Sequence, residues 1–172
     1  MKSILEKYGF DGIWHFTDRS NLKLIGEHGL LSLAEAERRG IEIPSPGGND
    51  WSHEADRAKG LHEFVHLAFV DDHPMLFYAR REARILDPIW LKIRSSILLQ
   101  EGLRFSSDVA NKSGGQILTS EEAEEQIDFD VLFTYMDWKE SDVQARRQAA
   151  IKSEILVPNV VHVDQILGYK NG

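Results

Sequence analysis

The chain has 172 residues, 42% of them hydrophobic, enough for one domain spanning residues 1–172 with a buried core. It has no cysteine, which excludes a disulfide framework and thiolate chemistry. A net charge of −8 argues against gripping nucleic acid through a broad electrostatic footprint, while leaving room for a small positive cleft on an acidic body. Met1 to Phe10 is charged and lacks the apolar run of a signal peptide, so the expected location is the cytoplasm and no membrane partner is expected.

Gly12-Ile13-Trp14-His15-Phe16-Thr17 alternates apolar and polar residues and predicts a half-buried first strand. Asp18 and Ser20 offer caps for a helix from Asn21 to His28, and Gly29 stands where a left-handed C-cap is expected. Ala34 to Arg39 reads as a short second helix. Gly40 to Asp50 holds Pro44, Pro46, Gly47 and Gly48, which deny both regular structures; a loop this long is often functional.

Further along, Met75 to Glu82 predicts a helix with Pro74 in its first turn, Ile89 to Ile93 a strand, and Ser95 to Glu101 a short helix closed by Gly102. Leu103 to Ser106 suits a brief strand and Asp108 to Gln116 a second loop. Glu121, Glu122, Glu124 and Glu125 suit a solvated helix start. Phe129 to Trp138 is aromatic and Asp-rich, with no placement from its pattern. Asp142 to Ala150 looks helical. Glu154 then stands at the entry of Ile155-Leu156-Val157-Pro158, a short β-prone run that suits a buried strand. A carboxylate there is either solvated at the strand's lip or held at a site. Val160 to Val163 and Asp164 to Tyr169 form a last edge element.

His62-Glu63-x-x-His66 matches the zinc-metallopeptidase signature. On a helix the two histidines would share a face and bind zinc, with Glu63 as general base and His73 or Glu82 as third ligand. Phe64 to Val70 is instead rich in β-branched and aromatic residues, and on a strand the histidines would stand about 13 Å apart, too far to share one metal. The metallopeptidase reading thus depends on helicity.

Trp14-His15-Phe16-Thr17-Asp18, with Asn21-Leu22, Ile25 and Gly29-Leu30-Leu31-Ser32, resembles the opening of DarT, the DNA ADP-ribosyltransferase toxin of DarTG toxin–antitoxin systems. The resemblance recurs in family order at Leu61-His62-Glu63-Phe64-Val65, His73-Pro74-Met75-Leu76-Phe77, Trp90-Leu91-Lys92-Ile93 and Ser153-Glu154-Ile155-Leu156-Val157-Pro158. It implies an α+β fold, an ADP-ribosyltransferase-like split antiparallel β-sandwich flanked by helices, with NAD in the cleft between the sheets. It makes the second block a strand, against the zinc reading.

The resemblance maps Glu154 onto the catalytic carboxylate. It maps His15 onto the histidine that holds the adenosine-side ribose, with Phe16, Thr17, Gly29 and Leu30 beside it. Phe64 or Phe77 would give an aromatic wall. Two arginine patterns are present, one with Arg39 ahead of the Pro-Gly loop and one with Asn49, Ser52, Asp56 and Arg57. Arg57, close ahead of the strand at Leu61, is favoured. NAD is the implied co-substrate and single-stranded DNA the acceptor, with protein or RNA as the alternative acceptor. A macrodomain-type antitoxin that removes ADP-ribose is the implied protein partner. Phe105 to Asn111 has no histidine where thymidine-modifying relatives carry one, so thymine and guanine both stand as acceptor bases. Arg80, Arg81, Arg84, Lys112, Arg146 and Arg147 are candidate strand contacts.

Overall fold

The computed structural model describes residues 1–113 and 115–172; Gly114, in the expected 108–116 loop, lies outside the described residues. The chain runs α1 (Lys2–Tyr8), β1 (Gly12–Asp18), α2 (Leu22–His28), β2 (Leu30–Leu31), α3 (Leu33–Arg39), α4 (Asp50–Ala58), β3 (Phe64–Ala68) and α5 (Pro74–Arg81). It continues through β4 (Pro88–Arg94), β5 (Arg104–Ser106), α6 (Ser120–Gln126), α7 (Phe129–Phe133), α8 (Ser141–Ala150), β6 (Glu154–Pro158), β7 (Val160–Val161) and β8 (Ile166–Asn171). No helix of the described residues is long and apolar enough to cross a membrane.

Six strands form one sheet in the order β5-β6-β3-β1-β4-β8, and β2 pairs with β7 in a separate ladder. Every pairing is antiparallel. β1 pairs with β4 along its whole length, from Gly12↔Arg94 to Asp18↔Pro88, and β3 with β6 from Phe64↔Pro158 to Ala68↔Glu154. Between β1 and β3 the register shrinks to the single pair Trp14↔Ala68. The sheet is therefore split: β5-β6-β3 and β1-β4-β8 are joined at one point and part beyond it. This is the α+β arrangement with helices around antiparallel strands that the resemblance implied.

Period-two alternation decides what each strand offers to either side. On β3 and β6, Val65, Leu67, Ile155 and Val157 join the main core with Ile13, Leu91, Phe69 and Phe105. Phe64, His66, Glu154 and Leu156 occupy the alternate positions, where Leu156 packs with Leu61, Ala110 and Phe64. One alternation thus supplies both a dry core and a functional face.

Several local expectations are corrected. The helix that the zinc reading required is absent: Leu61–Glu63 is a 3-10 turn and His66 lies on β3, so His62 and His66 are not one turn apart on a helix. Gly29 does have a positive φ, 78°, but its ψ of −173° is extended rather than left-handed helical. The chain passes straight into β2, and a Cβ at Gly29 would collide with the Val161 carbonyl of β7. The unplaced aromatic stretch supplies α7, whose Phe129, Val131 and Leu132 are buried. The acidic run is α6, closed at its start by a reciprocal capping box between Thr119 and Glu122.

Asp18 fixes the end of β1. Its carboxylate, 5% exposed, accepts from the Ser20 N–H and hydroxyl through Oδ1 and from the Leu86 and Asp87 N–H groups through Oδ2. Burial opposes its charge, but these donors prevail and hold the carboxyl down at about 2. Replacing it by Asp18→Asn puts an NH2 group against N–H donors. We expect a loss of about 2 kcal/mol or more, read as a lower urea midpoint at unchanged slope.

Candidate active site

The split between β1 and β3 opens a cleft of about 1330 Å³, open mouth included. His15, Phe16 and Thr17 line it from β1, Phe64 and His66 from β3, and Glu154 from β6. Gly29 and Leu30, the Pro46-Gly47-Gly48 loop, and Ser52 and Asp56 of α4 complete the wall.

His15 crosses the split. Its Nδ1 lies 2.8 Å from the His66 carbonyl oxygen. A carbonyl can only accept, so Nδ1 carries the proton. Burial pushes the His15 imidazole down to about 4. A neutral ring with Nδ1–H leaves Nε2 as a lone-pair acceptor, suited to a sugar hydroxyl.

Glu154, 6% exposed, sits opposite Ala68 at the start of β6. His66, opposite Leu156, is its diagonal neighbour on the same face, and its Nδ1–H donates to Glu154 Oε2 at 2.8 Å. The Ala110 N–H approaches the same oxygen at 3.4 Å. Oε1 faces His73 Nε2 at 3.7 Å, beyond hydrogen-bond reach, and is left free. Burial works against both charges of the pair. For His66, the hydrogen bond and charge of Glu154 and the charge of Asp56 outweigh it and raise the imidazolium to about 9. For Glu154, the His66 bond and charge, with His73 and Ala110, hold the carboxyl below the usual carboxylate range. Burial prevails at Asp56, whose carboxyl is raised, and at His73, whose imidazole is lowered.

A residue that the sequence suggests only as part of a helix start and of the family pattern pins the loop over this cleft. Asn21, 3% exposed, donates to Thr17 Oγ1 at 3.0 Å and to the Ser45 carbonyl at 2.8 Å, and accepts from the Ser45 N–H at 3.1 Å. An asparagine next to a helix start reads as a cap, and nothing local reveals that its partner is 24 residues away.

Of the residues singled out in the sequence, His15, Phe16, Thr17, Gly29, Leu30, Ser52, Asp56, Phe64 and Glu154 line the cleft. Asn49, Arg39, Arg57 and Phe77 do not. Asn49 caps α4, accepting from the Ser52 N–H at 2.9 Å, so it supports the wall from behind. The helical period that turns Ser52 and Asp56 inward swings Arg57 away, where Glu37 of α3 pairs with it. Arg39 is paired with Glu35 on its own helix at 2.5 Å. Phe77 is 62% exposed, with Arg81 over its ring at 6.0 Å. Among the described residues no lysine or arginine lines the cleft; its titratable cations are imidazoles. Of the candidate strand contacts, Arg84, Lys112, Arg146 and Arg147 are paired with Glu82, Asp108, Asp128 and Asp72.

The family model described as ssDNA thymidine ADP-ribosyltransferase, DarT, matches residues 14–169. The chain belongs to the DarT family. No match is found among curated protein sequences. Among solved structures, Thermosipho africanus DarTG in complex with ADP-ribose superposes with a TM-score of 0.68 at 24% identity, over 91% of this chain and 43% of that one. The present chain thus spans less than half the length of that DarTG chain. Thermus sp. 2.9 DarT in complex with ADP-ribosylated ssDNA gives a TM-score of 0.66 at 17% identity, covering 91% and 78%. The same DarT in complex with NAD+ gives 0.58 at 18% identity, covering 91% and 79%. The split antiparallel sheet of this DarT-family chain is the fold those structures share.

The protonation of His15 has a consequence for stability. The folded imidazole takes its proton near pH 4 and the unfolded one near its ordinary 6.5, so between these values the unfolded state binds more protons. The contribution of His15 to stability therefore falls as pH drops from 6.5 to 4. Melting curves across that window should show a shallower loss for His15→Gln than for the native chain, with the remainder carried by groups such as His73. Equal slopes would contradict a neutral His15.

Proposed function

We propose that this chain is an NAD-dependent transferase that moves ADP-ribose from NAD to a nucleobase of single-stranded DNA. In this reading one transferase domain acts as the toxin of a pair, countered by an antitoxin that removes ADP-ribose, and both work in the cytoplasm. The observation that carries the reading is Glu154: a buried carboxylate, ionised, with one oxygen free at the floor of a split-sheet cleft. Family membership supports it, as do relatives whose structures contain NAD+ and ADP-ribosylated ssDNA.

The lining fits NAD at the sugars and the rings. His15 Nε2 offers an acceptor for the adenosine-side ribose, Glu154 Oε1 an acceptor for a ribose hydroxyl on the nicotinamide side, and Phe16 and Phe64 apolar walls. The diphosphate is the one part for which the lining offers no guanidinium or ammonium; Arg39 and Arg57 are engaged elsewhere.

When bound, NAD supplies a sugar carbon whose bond to nicotinamide breaks, the electron pair leaving with the ring nitrogen. Glu154 faces the positive charge that develops on the sugar and stabilises that state more than the ground state. The acceptor base must reach this carbon with a ring nitrogen exposed, which duplex stacking forbids, so a single-stranded or extruded base is required. The acidic body limits the strand's footprint, so binding is weak and salt-sensitive.

Intact-mass analysis of single-stranded oligonucleotides of varied base content, incubated with NAD and the protein, should show a gain of one ADP-ribose and identify thymine or guanine as acceptor. Glu154→Gln should lower the rate by about 10²–10³ while keeping the fold. Unmodified oligonucleotides with the folded native chain, or undiminished transfer by Glu154→Gln, would contradict the proposal.

A further inference from the structure

We propose that His66 is the positioning residue of the site: by donating Nδ1–H to Glu154 Oε2, it turns Oε1 alone towards the substrate and keeps a buried carboxylate ionised. The inference rests on the reading of Glu154 as the catalytic carboxylate.

The geometry singles out His66 in three ways. It makes the one short side-chain contact to Glu154, at 2.8 Å, whereas His73 stands off at 3.7 Å. Its backbone carbonyl is also the acceptor for His15 Nδ1–H. One residue of β3 thus fixes the acceptor face of His15 with its backbone and the free oxygen of Glu154 with its side chain. Finally, the cleft lining supplies no lysine or arginine among the described residues, so an imidazolium is the available counter-charge.

The other groups facing this pair come from each neighbouring element. Asp56 of α4 feels the charges of His66 and Glu154 and that of His53 on its own helix. His73, beside Asp72, approaches from the segment ahead of α5, and the Ala110 N–H from the loop after β5. Asp56 and Glu154 each raise the proton affinity of His66. Of the groups around Glu154, burial alone would push its carboxyl above the ordinary 4.5, and His66 is the largest influence holding it below.

Removing the imidazole should therefore let burial win. In His66→Asn, the acid limb of the kcat profile for transfer should move from below pH 4.5 to above it, while KM for NAD changes little. The kcat deficit should be greatest on the acid side and shrink towards pH 8. His66→Gln, a longer amide that likewise lacks the charge, should show the same shift in the limb. A role confined to folding would lower the melting temperature and leave the limb in place, overturning the proposal.

A carbon-13 titration of the glutamate carboxyls in the native chain, assigned with Glu154→Gln, needs no His66 variant and no turnover. Glu154 titrating below 4.5 is expected, and a value above it would overturn the assignment even if no acceptor were modified. Native chain without transfer but with a low Glu154 titration would refute the transferase reading and leave the pairing intact.

Discussion

Where β1 and β3 separate, two strand edges lose their ladder partners, and buried backbone groups on such edges must find others. The His15 Nδ1–H to His66 carbonyl bond meets that need at the mouth of the split. It spans the gap between half-sheets that are otherwise paired only at Trp14↔Ala68. The bond fixes the width of the cleft at that level, the tautomer of His15 and the orientation of the strand segment that carries His66. The acceptor that His15 offers to a sugar follows from this one contact.

The two histidines illustrate how partner chemistry sets a charge state. Both are drawn towards neutrality by burial. His15 donates a hydrogen bond to a carbonyl dipole, which offsets no full charge, and faces the charge of His66, which opposes its own; it stays neutral. His66 meets an ionised carboxylate, which repays the charge, and it stays an imidazolium. A pair of adjacent residues in space is thereby divided into an acceptor and a cation. The asymmetry extends to Glu154, whose Oε2 is occupied and Oε1 open. For a reaction that builds positive charge on a sugar, one fixed and desolvated anionic oxygen is worth more than a freely rotating carboxylate.

The first strand was legible in the sequence because its alternation is local, and Glu154 at the entry of an apolar β run was legible for the same reason. The Pro-Gly loop was legible from backbone chemistry alone. His66 was not recognised as a partner of Glu154, because the sequence does not contain the register that makes them diagonal neighbours. Its place in a zinc-like motif drew the eye instead. With alternation alone, Phe64, His66 and Ala68 could be assigned to the face opposite Val65 and Leu67, but not matched to a residue 88 positions later. Arg39 and Arg57 lie outside the lining for a related reason: Arg57 follows the inward Asp56 on its helix, and acid partners on α3 pair with both arginines. Asn21 was hidden because its bond to Ser45 is tertiary.

The charge states of His15 and His66 are the core of the account and can be read directly. Nitrogen-15 spectra of imidazole-labelled protein at pH 7.5, assigned with His15→Gln and His66→Gln, report the protonation of each ring nitrogen. The account predicts a neutral His15 protonated at Nδ1 and a His66 protonated at both nitrogens. A neutral His66, or a His15 carrying its proton on Nε2, would contradict it.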